Sequence, residues 1–213
     1  MPDLTTFQPP ADVGSTLFDD DVSAIIRRLI RQGRPDNPIA FYGSSSFLFW
    51  TRLCEDLGTT RAVNLGFGGG TNATALHYFD RLLLPLRPSK IVLYFGENDI
   101  SNDGLTGRST FTRFEALIAR IRQSFGAIPV FCLSTKQSPG KWIYADEVNE
   151  FNTLVAAACA SADNLHYVDI CSVLMGENGK PMSRYFIADK VHVNDGGYGL
   201  WARILKQTPG LLD

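Results

Sequence analysis

Five short apolar runs, each followed by a helical pattern, constrain the fold of this chain more than any other feature. The runs are Pro38–Tyr42, Ala62–Leu65, Lys90–Phe95, Ile128–Leu133 and Leu165–Ile170. Ile91-Val92-Leu93-Tyr94-Phe95 does not alternate between apolar and polar, which suits a strand covered on both faces of a parallel sheet. Helical spacing occupies about 46–57, 72–86, 110–125, 145–161 and 195–207. Phe114, Leu117, Ile118 and Ile121 form one core stripe, and Val148, Phe151, Leu154 and Val155 form another. Ahead of the first run, Asp19-Asp20-Asp21 can cap a helix to about Gln32, with Val22, Ile25, Ile26, Leu29 and Ile30 as its apolar face. Strands alternating with helices predict an α/β protein, a three-layer α/β/α sandwich on a five-stranded parallel sheet. A length of 213 residues suits one domain over 1–213, with residues 1–16 as an N-terminal arm broken by Pro9-Pro10 and Gly14.

Charge and composition exclude several classes. A net charge of −2 gives no electrostatic footprint for nucleic acid or an anionic membrane surface. No uninterrupted apolar stretch is long enough to span a bilayer, so no membrane insertion is expected. The first ten residues lack a basic segment followed by an apolar one, so a secretory signal is not expected and a cytoplasmic location is. Cys54, Cys132, Cys159 and Cys171 show no paired spacing and read as small buried apolar residues in a reducing compartment. His77, His166 and His192 lack metal-ligand spacing; no metal and no cofactor are expected.

Four motifs carry the chemistry. Gly43-Ser44-Ser45-Ser46 follows the first run, Asn64-Leu65-Gly66-Phe67-Gly68-Gly69 the second and Gly96-Glu97-Asn98-Asp99 the third. Asp189-Lys190-Val191-His192 lies near the C-terminus. A serine between strand and helix can expose its Oγ, although Ser44, Ser45 and Ser46 also suit helix caps. The nucleophile elbow G-x-S-x-G fails, because Phe47 stands where its second glycine belongs. The glycine-rich stretch lacks the Lys-Ser/Thr of a P-loop and the glycine or alanine that a Rossmann turn needs at Thr71, leaving a phosphate or flavin site as a weak third reading. Its glycines permit a tight turn, or close approach of a backbone N–H to a ligand. Asn98 suits a turn residue or an amide donor. Asp189 can hold one imidazole nitrogen of His192 while the other faces a nucleophile. Ligands in open α/β sheets bind beyond the carboxyl ends of the strands, where three of these motifs begin.

In this order the four blocks resemble those of the SGNH hydrolases, the GDSL esterases and lipases, from Ile39 to about Ile204. The final block, Asp189 to Asn194 with Gly197, Tyr198 and Trp201, is especially similar, and the acetylhydrolase-like branch is the nearest relation. The resemblance implies a flavodoxin-like sheet of order 2-1-3-4-5. It implies Ser45 as nucleophile, Asp189 and His192 as its partners, and an oxyanion hole from the N–H of Ser45, the N–H of Gly69 and the amide of Asn98. One position departs: the family's Gly-Asp-Ser-Leu block has Ser44 in place of the Asp, so a carboxylate that can organise the loop is missing there.

The expected function is a metal-independent serine esterase acting on short acyl esters, acetyl above all, with a small-molecule ester as its partner; a homo-oligomer is left open. A non-catalytic binding module on the same fold is the alternative, motivated by the absent Asp. Gln137–Tyr144 and Met175–Ile187, with Trp142, Tyr144, Met182, Tyr185 and Phe186, serve equally well as pocket walls or as packed loops.

Overall fold

The computed structural model describes residues 18–213, and the arm expected over residues 1–16 lies outside them. The five apolar runs form β1 (Ile39–Gly43), β2 (Ala62–Asn64), β3 (Lys90–Tyr94), β4 (Val130–Leu133) and β5 (Leu165–Val168). They build one sheet of order β2-β1-β3-β4-β5, parallel throughout, with Ile39 registered between Ala62 and Lys90. The helices are α1 (Asp19–Gln32), α2 (Ser45–Leu48), α3 (Leu53–Leu57), α4 (Asn72–Leu86), α5 (Glu97–Ser101), α6 (Gly107–Phe125), α7 (Ala145–Ala160) and α8 (Asp195–Gln207).

Both sheet faces are apolar, which is why the runs do not alternate. Ala40, Tyr42, Ile91, Leu93, Val130 and Cys132 face α1, α4, α6 and α7. Their neighbours Ile39, Phe41, Val92, Tyr94 and Phe131 face α2, α3 and α8. The chain leaves β1 toward β2 and returns across to β3 on the other side of β1. Right-handed crossovers in opposite directions carry their helices to opposite faces, opening a crevice at the carboxyl ends of β1 and β3.

Several boundaries differ from expectation. The segment 46–57 is two short helices, because the chain turns at 49–52 and sends Trp50 into the core, where it stacks on Tyr198 at 5.0 Å. The acidic triplet forms the first turn of α1 rather than its cap, a position held by Phe18. There Asp19 pairs with Arg81 at 2.5 Å. β4 starts at Val130, after Pro129, which has no N–H to give the ladder. β5 stops at Val168, where the Asp169 carboxylate turns back to the N–H groups of Cys171 and Ser172. α6 begins earlier, at Gly107, capped by the Thr106 hydroxyl and by Glu147, which accepts the Gly107 N–H at 2.7 Å. Cys132, Cys159 and Cys171 are buried, but Cys54 is exposed at the edge of α3. No helix among the described residues is long and apolar enough to cross a membrane.

Candidate active site

Ser45 opens α2 directly after β1. The approach is tight: a Cβ on Gly43 would lie 2.9 Å from the Tyr94 carbonyl of β3, which itself accepts the Ser44 N–H at 3.1 Å. The three serines then separate by environment. Ser44 and Ser46 are buried, whereas Ser45 is half-buried and faces the crevice. Ser44 stands at the cap position of α2 without making a side-chain cap bond. The turn after α2 is held from two sides. Asn64 donates to the carbonyls of Phe47 at 2.6 Å and Trp50 at 3.3 Å, and the Tyr198 hydroxyl of α8 donates to the Ser46 carbonyl at 2.8 Å.

α8 also fixes the histidine loop. Asn194 caps α8 by accepting the Gly197 N–H at 3.2 Å, and its amide donates to the Arg184 carbonyl at 2.8 Å. Gly197 must be glycine, since a Cβ there would fall 2.1 Å from Val193 Cγ1. Phe186 and Val193 form an isolated antiparallel bridge, and the Ile187 N–H donates to the His192 carbonyl at 2.9 Å. The intervening turn places Lys190 in the left-handed region at φ +60°.

This framework aligns three side chains. His192 Nε2 lies 2.9 Å from Ser45 Oγ, and His192 Nδ1 lies 2.6 Å from Asp189 Oδ2. Asp189 Oδ1 accepts the N–H groups of Val191 at 2.8 Å and His192 at 3.0 Å. Partial burial alone would raise the Asp189 pKa, but the bonds from the His192 ring and from the two N–H groups outweigh it and hold the carboxyl at about 2. Asp189 is therefore ionised at neutral pH and orients the ring with Nδ1 as donor and Nε2 as acceptor toward the serine. The ring of Phe49 lies edge-on to the His192 ring at 4.7 Å. His77 and His166 are elsewhere: His77 lies against Tyr78 on α4, and His166 stacks on Phe131 from β5.

Three donor groups named by the resemblance have hydrogens without a partner among the described residues. The N–H groups of Ser45 and Gly69 make no hydrogen bond within the described residues. Gly69 adopts φ +64°, and a Cβ there would lie 2.9 Å from the Phe18 ring, so the turn requires glycine. Asn98 belongs to α5 rather than to a plain turn, is nearly buried, and donates from Nδ2 to the Gly70 carbonyl at 3.0 Å, leaving its second amide hydrogen free.

Residues the sequence reading passed over hold this arrangement. Asp21 of α1 accepts the Gly68 N–H at 2.7 Å and so supplies a carboxylate to the loop from another element. Asn64 Oδ1 accepts the Gly66 N–H at 2.9 Å, while the Asn64 carbonyl takes the Arg28 guanidinium. Beneath α2, the wholly buried Lys136 pairs with Glu97 and stands 3.2 Å from Ser46 Oγ. Burial lowers the proton affinity of Lys136, but Glu97 and Tyr94 more than reverse this and keep it charged. The signal for Lys136 was its place just beyond the carboxyl end of β4, on the edge where ligands bind. Of the two segments that suited either walls or packed loops, Tyr144, Tyr185 and Phe186 pack on the core; Trp142 and Ile143 are exposed.

Among solved structures, a GDSL-like lipase from Bacteroides thetaiotaomicron superposes with TM-score 0.71 at 20% identity, covering 88% of this chain and 96% of its own. A lipase/acylhydrolase from Enterococcus faecalis matches with TM-score 0.65 at 19% identity, covering 80% of this chain and 94% of its own. An acetyl-xylooligosaccharide esterase from Geobacillus Stearmophilus matches with TM-score 0.66 at 12% identity over 82% of this chain and 94% of its own. At these identities the likeness is one of fold. No curated protein matches the sequence. The model of the GDSL-like lipase/acylhydrolase family matches residues 12–200, most of the chain. The chain therefore belongs to the GDSL-like lipase/acylhydrolase family, a family of hydrolases.

Proposed function

We propose that this protein is a serine esterase that cleaves short acyl esters, acetyl above all, by a Ser45-His192-Asp189 triad. The observation that carries the reading is the continuous chain from Ser45 Oγ through the His192 ring to Asp189. His192 Nε2 removes the proton as Ser45 Oγ attacks the ester carbonyl, and Asp189 balances the imidazolium that forms. The carbonyl oxygen gains its charge among the N–H groups of Ser45 and Gly69 and the amide of Asn98. His192 then protonates the leaving alkoxide, and water repeats the sequence on the acyl-enzyme.

The preference for a short acyl group rests on the aromatic packing at Gly70. A Cβ on Gly70 would lie 2.9 Å from the Phe67 ring and 3.2 Å from the Phe95 ring, so the space behind the oxyanion loop is already filled by aromatic side chains. The similarity in fold to the acetyl-xylooligosaccharide esterase from Geobacillus Stearmophilus is consistent with this choice. No observation favours the non-catalytic binding module. A fluorophosphonate probe should label the native protein stoichiometrically and leave Ser45→Ala unlabelled, and activity on nitrophenyl esters should fall as the acyl chain lengthens from acetyl. Labelling that persists in Ser45→Ala, or a maximum at long chains, overturns the respective half of the proposal.

A further inference from the structure

The Asn98 amide is gripped at both ends. Nδ2 donates to the Gly70 carbonyl at 3.0 Å, and Oδ1 accepts from Lys141 Nζ at 3.2 Å, with Asn102 Nδ2 farther off at 3.5 Å. The Lys141 ammonium also donates to Ser101 Oγ at 2.7 Å and stands 3.9 Å from Glu97 Oε1. Lys141 lies in the short 3-10 turn Pro139–Tyr144, where its own backbone leaves helical geometry at φ −120°, ψ 23°. That turn is pinned to the histidine loop. The Gly140 N–H donates to the Lys190 carbonyl at 2.8 Å, and a Cβ on Gly140 would lie 2.9 Å from Val191 Cγ2 and 3.1 Å from the Asp189 carbonyl.

We infer that Lys141 is a positioning residue for the oxyanion hole, its ammonium fixing and polarising the Asn98 amide so that a free N–H faces the substrate. The inference rests on the reading of Asn98 as an oxyanion donor. An amide can rotate by half a turn with little change of shape. Rotated, the Asn98 oxygen would oppose the Gly70 carbonyl, and its NH₂ would oppose an ammonium. Both contacts then set like against like, and the charged one is the stronger penalty. The observed orientation is therefore selected chiefly by Lys141. A cation on the amide oxygen also draws electron density from the nitrogen, strengthening the remaining N–H as a donor. Because the same turn grips the Asp189–His192 loop, it sets the oxyanion donor at a fixed distance from the base.

The charged and titratable groups facing Lys141 are Glu97 of α5, Lys136 from the segment after β4 and Tyr144 of its own turn, while α7 presents Ala145 and Val148. Burial lowers the Lys141 proton affinity; Glu97 opposes this and Lys136 adds to it, with the net shift downward. The ammonium therefore loses its proton at a lower pH than an ordinary lysine does, and kcat should decline with it on the alkaline side.

The test is steady-state kinetics of the full chain on nitrophenyl acetate for the wild type, Lys141→Met, Lys141→Arg, Asn98→Ala and the Lys141→Met/Asn98→Ala double variant. Lys141→Met should lower kcat about tenfold with KM within about twofold, since the donor meets charge that develops only in the transition state. Lys141→Arg should restore most of kcat and carry the alkaline decline out of range. In the Asn98→Ala background, Lys141→Met should cost nothing further. A wild-type kcat in Lys141→Met, or a loss that multiplies with that of Asn98→Ala, overturns the inference while leaving the oxyanion role of Asn98 standing. An unchanged kcat in Asn98→Ala overturns both. Should Lys141→Met fail to fold, a wild-type kcat that stays flat through the lysine range overturns the inference without that variant.

Discussion

Gly66→Ala should break the backbone contact that holds α2 against the glycine loop. Gly66 lies under α2 with no room for a side chain: a Cβ there would stand 2.3 Å from the Leu48 nitrogen and 2.7 Å from the Phe47 carbonyl carbon. Both are backbone atoms, so no rotamer change relieves the overlap. Ordinary contact begins at 3.4 Å, so either α2 or the glycine loop must retreat by about 1 Å. Retreat of α2 is resisted by Asn64, whose amide ties the Phe47 and Trp50 carbonyls to the loop, and by Tyr198 on the Ser46 carbonyl. Strain of this kind costs about 1–3 kcal/mol. For a chain of this length that lowers Tm by roughly 2–12 °C. The larger effect falls on catalysis, because either movement pulls Ser45 away from His192 or Gly69 away from Ser45. A displacement of about 1 Å at a reacting group costs on the order of 10²-fold. The assay is kcat/KM on nitrophenyl acetate, with the fluorophosphonate labelling rate and a thermal melt on the same samples. Gly199→Ala is the control: this glycine is exposed on α8 with no heavy atom near its Cβ position, and alanine there should add up to about 1 kcal/mol with unchanged activity. Gly66→Ala with kcat/KM within threefold of wild type and an undiminished Tm would refute the claim that backbone contact fixes the nucleophile.

Two further outcomes follow from the carboxylates. Asp189→Asn should keep the loop by offering its oxygen to the Val191 and His192 N–H groups, which turns its NH₂ toward His192 Nδ1 and forces the proton onto Nε2, the wrong tautomer for a base. The plateau kcat should fall by up to about 10⁴-fold with Tm little changed, and an Asp189→Asn variant within tenfold of wild type would refute the orienting role. Asp99 concerns stability: burial raises its pKa from 3.8 to about 6 against the opposing Asn72 and Arg113 contacts, so the folded protein binds this proton more tightly than the unfolded chain. Its contribution is whole below the unfolded value and is lost as pH rises to about 6, an amount of about 3 kcal/mol. Asp99→Asn should therefore gain stability relative to wild type across that interval and hold the gain above it. Chemical denaturation of both proteins at pH 4, 5, 6 and 7 checks this, and a pH-independent difference would refute it.

The sheet was legible because burial on both faces leaves an unmistakable trace. Runs such as Ile91-Val92-Leu93-Tyr94-Phe95 have no polar face to offer, and glycine-marked turns bound them. Of the three side chains that meet in the crevice, Ser45 was legible as a serine just past a strand and Asp189 and His192 as a carboxylate–histidine pair before the last helix, and family resemblance selected among the three serines. What escaped was whatever depends on contacts between distant segments. Trp50 reads as one more apolar residue of a helix, and only its partners Tyr198 and Trp201 from α8 reveal why the helix breaks there. Asp21 reads as one of three acids at a helix start, and nothing local says that its carboxylate reaches Gly68. Lys136 and Lys141 read as ordinary surface lysines, since a buried cation is recognisable only by the anion or amide that meets it.

The missing Asp at position 44 bears on how an oxyanion loop acquires its order. Around the glycine turn nearly every N–H has an acceptor. Gly66 gives its proton to Asn64, Phe67 to the Gly43 carbonyl, Gly68 to Asp21, and Thr71 to the Thr74 hydroxyl. Asn72 gives its proton to Asp99. Within the described residues the exceptions are Gly69 and Gly70, beside the half-buried Ser45. Donors left over in a loop otherwise fully bonded cannot turn inward to satisfy themselves, because every flanking peptide is already committed. On the proposed function, the Gly69 N–H is the one left for an oxyanion, and a loop whose neighbouring peptides are already bonded would hold it without reorganisation. On this view the carboxylate that matters to the loop need not lie next to the nucleophile. In this chain it comes from α1, and Ser44 needs only to be small, buried and bonded through its backbone to β3.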